Sequence, residues 1–414
     1  MIIECNLNLD HPPDNSLPEA SASFEIRNNN ESSSDVNEIE VDEKVKDQNE
    51  DPLPSIIDED DPTDGGYGWF VVLGAFLVQV TTFGVMQDYY EQYTFAHIQN
   101  ASLNLSFVGT LALVFMNLGG PFSQILVSVV GIRPVLIIAP QWFNRRRGLA
   151  LGMAASGSGI GGLVIPNIMN SINSSLGPGW TYRVLGFICL FCDVLACILV
   201  RTRNPVPKTR KRLSQMIDLS VLKNVDYLLF CIGSNIGLFG YFVPYFFLPS
   251  YATHIGLSDS QGSSTVTVSA AGNFIGRIMI GFLADRIGKI NSNLIFTVIT
   301  GLSSLLIWAF ANSYGSLMAF SAVFGLTSGA YFAQISPVTA SILGMEKFPS
   351  GLSLLLLTNV VPVFGPNIAG AIESGVNSTP YFSYKMFTGV AYLVGAVFIL
   401  ILRLRLSRDI FAKV

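Results

Sequence analysis

Ten unbroken apolar runs, each close to 20 residues long, constrain this chain more than any other feature. They lie near 67–88, 107–129, 149–170, 182–200, 228–250, 265–284, 293–311, 316–340, 351–372 and 384–403. A bilayer core about 30 Å thick is crossed by a helix of about 20 apolar residues. Hydrocarbon offers the backbone no hydrogen-bond partners, so only helices and closed barrels span it. A barrel would show segments of about ten residues with alternating polarity, and these runs are continuous. The chain therefore reads as an all-α membrane protein with about ten transmembrane helices. Composition agrees: 13% of the residues are charged, against about 25% in an average soluble domain.

Charge is split along the chain. Residues 1–64 hold 19 of the 29 acids and three basic residues, Arg27, Lys44 and Lys46, whereas the remainder has a basic surplus. This acidic stretch, rich in Asn, Ser and Pro, cannot bury enough apolar surface to offset its ordering entropy and is expected to be a disordered tail. It lacks a signal peptide's basic start and apolar core, so the first span is expected to insert as its own anchor. Basic residues cluster in alternate loops: Arg133 with Arg145, Arg146 and Arg147; Arg201 to Arg212 with Lys223; Arg286 and Lys289; Lys347; and Arg403 to Lys413. Residues 91–106, 251–264 and 312–315 contain none, and Arg183 and Lys385 sit at span edges. The positive-inside bias then places both termini in the cytoplasm. Sequons starting at Asn100, Asn104, Asn173 and Asn377 fall on the outer side, with Asn30 on the inner side. Chance occurrence explains them as readily as glycosylation.

Large transporters often consist of two parallel six-helix halves. Here 228–403 carries six spans and the first half only four. Gly131, Pro140 and Gly148 parallel Gly288, Pro337 and Gly351. The glycine-to-proline spacing is 9 residues in the first half and 49 in the second, and the glycine-to-glycine spacing is 17 against 63. The shortfall matches two helices and a turn at about 20 residues per span. The first half is expected to lack its third and fourth spans, with only Val135 to Ala139 left between Pro134 and Pro140. A spliced variant, a gene-prediction error and a genuine ten-helix protein all fit. Loss of an even number of spans preserves the orientation of every later helix.

Two stretches resemble signatures of the monocarboxylate porter family of the major facilitator superfamily. One is Asp64-Gly65-Gly66-Tyr67-Gly68-Trp69. The other runs from Trp142-Phe143-Asn144-Arg145-Arg146-Arg147-Gly148 through Leu149-Ala150-Leu151-Gly152-Met153-Ala154-Ala155-Ser156-Gly157-Ser158. Gln87-Asp88-Tyr89-Tyr90-Glu91 is similar to the fungal-type branch. The resemblance implies a major facilitator fold in two pseudo-symmetric bundles (4 + 6 helices). The expected segments are an acidic tail (1–64), an incomplete bundle (65–201), a basic linker (202–226) that meets anionic headgroups or is simply solvated, a complete bundle (227–404) and a short tail (405–414). It also implies a secondary active transporter working by alternating access on a monocarboxylate, a riboflavin-like compound or a secondary metabolite. Without the name, the glycines at 65, 66 and 68 let the chain bend into lipid, Tyr67 and Trp69 anchor it at the interface, and Gly152, Ser156, Gly157, Gly159, Gly161 and Gly162 give a small-residue face for close helix contact.

Arg277 is the sharpest site candidate. It lies eight residues before Asp285, about 12 Å along a helix, close to mid-bilayer. A charge there needs a cavity or a partner; a structural ion pair or snorkelling is the alternative. The resemblance implies an arginine here that meets the substrate carboxylate, an acid one turn earlier and a lysine in the first span. The last two positions are Asn273 and Gln87, so lactate-type proton coupling is not expected. Tyr241, Tyr245 and Tyr331 are candidates to stack on a flat substrate, or ordinary packing residues. Gly281-Phe282-Leu283-Ala284-Asp285-Arg286-Ile287-Gly288 resembles the superfamily's inner loop motif, with Gly281, Asp285, Arg286 and Gly288 expected at a gate where acid and base latch the halves; Ser128 replaces the acid in the first-half loop. Asp193 lies mid-span, and Asn359, Pro362, Gly365 and Pro366 are expected to break span 351–372 where protein or a cavity surrounds it.

Among the cysteines, Cys189 and Cys192 form a C-x-x-C pair inside an apolar run with no ligand cluster, which reads as packing. Gly157-Ser158-Gly159-Ile160-Gly161-Gly162 follows no strand and is not a dinucleotide loop. No nucleotide loop, metal spacing or nucleophile triad occurs, so neither an enzyme nor a cofactor is expected. The expected partners are a small-molecule substrate and the lipid bilayer, with a coupling proton as a further candidate and no nucleic acid. The plasma membrane, or a vacuolar or other internal membrane, is the expected location. The rival reading is a non-transporting membrane protein (a sensor, a partner subunit or an inactive truncated product), because the lost fourth span lines the cavity in this fold.

Overall fold

The computed structural model describes residues 66–80, 110–111, 113–115, 117–118, 142–143, 145–200, 218–376, 379–409 and 412–414. Expectations for the acidic segment, Gln87, most of span 107–129, the 131–140 junction and the linker to residue 217 lie outside these residues. The described residues all fall in one compact unit, Asp58–Val414, and among them there is no strand.

The helices are α1 (Gly68–Val80), α2 (Arg147–Leu176), α3 (Pro178–Leu199), α4 (Val225–His254), α5 (Asp259–Ile287), α6 (Lys289–Ser303), α7 (Tyr314–Ser328), α8 (Ala330–Thr358), α9 (Gly365–Gly375) and α10 (Phe382–Leu406). A π-turn, Ser304–Trp308, extends α6. Seven helical stretches among the described residues are long and apolar enough to cross a membrane. One of them, Tyr314–Gly375, turns back at Gly344, whose φ of 71° suits glycine. Eight of the ten predicted spans thus coincide with described helices, and α1 covers part of a ninth.

Local chemistry explains the boundaries. Ser258 with Gln261 and Ser313 with Ser316 form capping boxes that start α5 and α7. The Asn224 side chain accepts from the Asp226 and Tyr227 amides and starts α4. The break foreseen in span 351–372 is present: α8 stops at Thr358 and a 3₁₀ turn, Pro362–Phe364, leads into α9. The second half holds the main core, with Trp308, Tyr227, Phe230, Phe320, Phe324 and Phe348 fully buried. By contrast, α3 turns Phe187, Leu190, Phe191, Val194 and Ile198 outward, as a lipid-facing helix does.

The small residues of α2 form two faces rather than one. On one, a Cβ at Gly157 or Gly161 would lie 2.2 Å from the carbonyl oxygens of Phe76 and Val80 in α1. On the other, a Cβ at Gly152 would lie 2.5 Å from the Arg277 carbonyl oxygen, and one at Gly159 would lie 2.7 Å from the Phe274 nitrogen. Glycine on both faces lets α2 sit against α1 and α5 at backbone distance, which joins the first-half helices to the second half.

Among the described residues, hydrogen-bonded contacts bridge the halves at three levels. At the end carrying the basic loops, Asp285 of α5 meets the start of α2. Midway, Arg277 reaches α2. Toward the opposite end, Thr110 donates to the Asn367 side chain of α9 at 2.9 Å, and both residues are buried. The two sets of helices therefore touch at both ends.

Candidate functional site: a buried arginine between the halves

Arg277 is 3% exposed and Asn273, one turn before it on α5, is equally buried. The guanidinium has five N–H donors and no acceptor. Its Nη1 donates to the Ala155 carbonyl oxygen at 2.7 Å and to Ser158 Oγ at 2.5 Å, both on α2. Nη2 donates to the Tyr241 hydroxyl at 3.4 Å. One face lies over the Phe332 ring, 4.9 Å from its centroid, a desolvated cation–π contact worth about 2 kcal/mol. Nε is buried with no hydrogen-bond partner. Among the described residues no carboxylate lies within ion-pair distance of this cation.

Asn273 completes the cluster. Its Nδ2 donates to the hydroxyls of Tyr241 and Tyr245, each at 3.3 Å, and to Ser328 Oγ at 3.5 Å. Its Oδ1 is buried and unpartnered. Gly329 walls the side where the two unsatisfied atoms converge: a Cβ there would lie 3.2 Å from both Arg277 Nε and Asn273 Oδ1. The Tyr241 ring packs against those of Tyr245 and Phe332. Behind Tyr241 and Ser328 a cavity of about 20 Å³, also lined by Ser234, Asn293, Thr297 and Tyr331, extends into the second-half bundle; that is room for one water. The arrangement offers a fixed positive charge, a free amide oxygen and an aromatic wall, with no internal counter-ion among the described residues.

The other expected site residues separate from this cluster or join it differently. Tyr331 donates to Asn359 Oδ1 at 2.8 Å, so its hydroxyl ties α8 to the break after it rather than facing Arg277. At the basic end, Asp285 accepts from the Gly148 and Leu149 amides, each at 2.8 Å. Among the described residues its hydrogen-bond partner is a helix N-terminus, where the orphan N–H groups and the macrodipole favour a carboxylate, while Lys289 and Lys413 attract it from beyond ion-pair distance. Arg286 is exposed and lies over the Phe282 ring. Gly281 allows the approach, since a Cβ there would lie 2.4 Å from the Gly148 carbonyl oxygen. Gly288 turns the chain with φ 101°. Asp193 is exposed on α3.

Sequence reasoning missed Ala155, Ser158, Ser328, Gly329 and Phe332. Ala155 and Ser158 lie inside the Trp142–Ser158 stretch, but nothing in a run of small residues signals which of them will meet a distant arginine. A second buried cation, Lys385, donates to the Tyr251 hydroxyl at 2.8 Å and lies over its ring at 4.0 Å.

Comparisons with known proteins converge on one family. The sequence profile of the Major Facilitator Superfamily matches residues 134–291 and 228–410. The MFS-type transporter pynF of Aspergillus niger is 30% identical over 385 residues, covering 80% of this chain and 86% of pynF. Since 80% of 414 residues is about 331, roughly 54 of those aligned positions have no counterpart in this chain. The Agnestins efflux protein AgnL12 of Paecilomyces divaricatus is 30% identical over 323 residues, covering 74% of this chain and 72% of that one. In structure, the chain is similar to the human organic anion transporter MFSD10, with a TM-score of 0.58 at 13% identity over 80% of this chain and 99% of that one.

Proposed function

This chain belongs to the Major Facilitator Superfamily and is a multi-pass membrane transporter, and we propose that its cargo is a small organic anion recognised at Arg277. The observation that carries the reading is a fully buried guanidinium, placed between the two sets of helices, with an unpartnered Nε and no carboxylate near it among the described residues. A charge near mid-bilayer costs about 2.5–3.5 kcal/mol, and among the described residues Arg277 has hydrogen bonds but no counter-ion to offset it. An anion that neutralises it recovers that energy, and rocking of the two sets of helices would expose the site to each side in turn. Asn273 Oδ1 suits a hydroxyl or N–H donor on the cargo, and the Tyr241, Tyr245 and Phe332 rings suit a flat conjugated body. The monocarboxylate-type resemblance around Arg277 and the relative named as an efflux protein support export of an acidic or enolic metabolite. With Asn273 in place of an acid, a coupling proton has no carrier at that position. Both termini in the cytoplasm and residence in the plasma membrane complete the proposal. Flux of a panel of aromatic and aliphatic carboxylates in reconstituted vesicles is the test. Flux that survives Arg277→Ala unchanged would sink the site assignment.

A second reading rests on the roughly 54 aligned positions of pynF without a counterpart here. Together with the landmark spacings, they support a first half that lacks its third and fourth spans. Asp193 on the outward face of α3 fits a helix that has lost a neighbour. On this reading the chain folds into the membrane without transporting. Sequencing the transcript across codons 131–148 for an intact insert, and measuring flux with about 44 residues restored after Val135, separates the two.

A further inference from the structure

We infer that Ser158 and the Ala155 carbonyl are the resting ligands of Arg277, so that the residue proposed to bind the cargo also bolts the empty carrier shut until an anion displaces them. The inference rests on the anion-site reading of Arg277 and adds the means by which cargo binding would be converted into motion.

Three observations carry it. First, the two contacts cross between the halves, from α5 to α2. Parting α2 from α5 at this level must break both. Second, they are made by one nitrogen, Nη1, on a guanidinium that has no counter-ion among the described residues. A carboxylate or enolate outcompetes a neutral hydroxyl and a carbonyl for that nitrogen, because it adds the attraction of a full opposite charge at low dielectric to the hydrogen bond. Third, the α2 side is built to receive it. Ser158 Oγ donates to the Ala155 carbonyl oxygen at 3.1 Å while accepting from Arg277. The hydroxyl proton is thus spent within α2, and a lone pair faces the guanidinium. Gly152 and Gly159, one on either side along α2, bring the backbones close enough for the reach.

An anion that meets the unpartnered Nε and draws the guanidinium toward itself takes Nη1 from α2, so cargo and bolt become alternatives on one cation. With no anion, Arg277 ties the halves together at mid-depth, between the Asp285 contact and the Thr110–Asn367 contact. With an anion bound, Nη1 is withdrawn from α2, and of the hydrogen-bonded bridges among the described residues the two end contacts remain, one to be broken for each direction of opening. Ser158 is a positioning residue in this scheme: it sets how readily the empty protein opens and does not hold the cargo.

The test uses the full chain with its five cysteines replaced and spin labels in two pairs. One pair is at Arg146 and Lys347 at the basic end, the other at Ser175 and Ser260 at the opposite end. All four residues are exposed. Distances between labels are measured in the empty protein and across a benzoate titration, with monodisperse elution as the check on folding. Ser158→Ala is expected to raise the open population of the empty protein about tenfold, the effect of losing one hydrogen bond to a charged group. It should also lower the benzoate concentration needed to open it. Ser158→Thr, which keeps the hydroxyl, should behave as the parent does. Arg277→Gln should open the empty protein, lose the benzoate response and show no added opening when combined with Ser158→Ala. Should Ser158→Ala leave the empty distances unchanged while benzoate still acts through Arg277, the bolt is wrong and the anion site stands. If benzoate moves neither pair in the parent protein, or moves them equally in Arg277→Gln, the anion site fails as well.

Discussion

Replacing Asp285 with alanine should unlatch the basic end of the protein without unfolding it. The carboxylate accepts from the Gly148 and Leu149 amides at 2.8 Å each. Its removal leaves two N–H groups at the start of α2 without that acceptor and takes a negative charge from the positive end of a 30-residue helix. Each hydrogen bond to a charged group is worth about 1.5–3 kcal/mol in a buried setting. Asp285 is only partly buried and the site borders solvent, so screening reduces the sum to about 2 kcal/mol. At about 1.4 kcal/mol per tenfold change, the closed-to-open ratio at this end should fall about 30-fold. The label pair at Arg146 and Lys347 reads that ratio as the appearance of a longer distance, and the pair at Ser175 and Ser260 serves as the control. The opposite end should stay closed, because Thr110 and Asn367 are untouched. Asp285→Asn keeps one carbonyl acceptor without the charge and should fall between parent and alanine variant. A distance distribution in Asp285→Ala identical to the parent's would refute the idea that this carboxylate holds the basic end shut.

Asn273→Asp should place a carboxylate one turn from the unpaired Arg277, creating an internal rival for the anion; benzoate binding should weaken about tenfold and recover as pH falls and the new acid is protonated, which a titration at two pH values reads. Gly276→Ala should destabilise by about 1–3 kcal/mol, since its Cβ would lie 2.1 Å from the Leu326 carbonyl oxygen, and thermal unfolding in detergent reports it. Tyr331→Phe should cost about 1–2 kcal/mol of stability by leaving buried Asn359 Oδ1 without its donor, with cargo affinity unchanged, whereas Tyr241→Phe should alter affinity. Lys385→Met should keep thermal stability within about 1 kcal/mol of the parent, because among the described residues no carboxylate lies within ion-pair distance of this ammonium and the cost of burying its charge disappears with it; a large loss would show that its bond to Tyr251 matters more than its desolvation.

The helices were legible because lipid makes the code simple: a run of 20 apolar residues has one stable form. Arg277 was legible for the same reason, since a lone charge in such a run stands out. The break at Asn359 to Phe364 was legible from its prolines and glycines. Partners across the interface were not. Ser158 and Ala155 sit among small residues that all look alike in sequence, and only the helix period together with the rotation of α2 decides which face α1 and which face α5. Asp285 stands out in the Gly281–Gly288 motif, but it accepts from a pair of backbone N–H groups, which carry no residue-type signal. Tyr331 and Tyr241 look alike by span and aromatic character, while the kink after Thr358 places Asn359 to accept from the Tyr331 hydroxyl.

The central claim is that an organic anion crosses the membrane by engaging the buried guanidinium of Arg277. Its most direct test is counterflow of radiolabelled benzoate in vesicles reconstituted with the parent protein, Arg277→Lys and Arg277→Gln. Saturable uptake that falls at least about tenfold in the lysine variant, which lacks the planar fork, and disappears in the glutamine variant is the predicted result. Equal uptake in all three would contradict it.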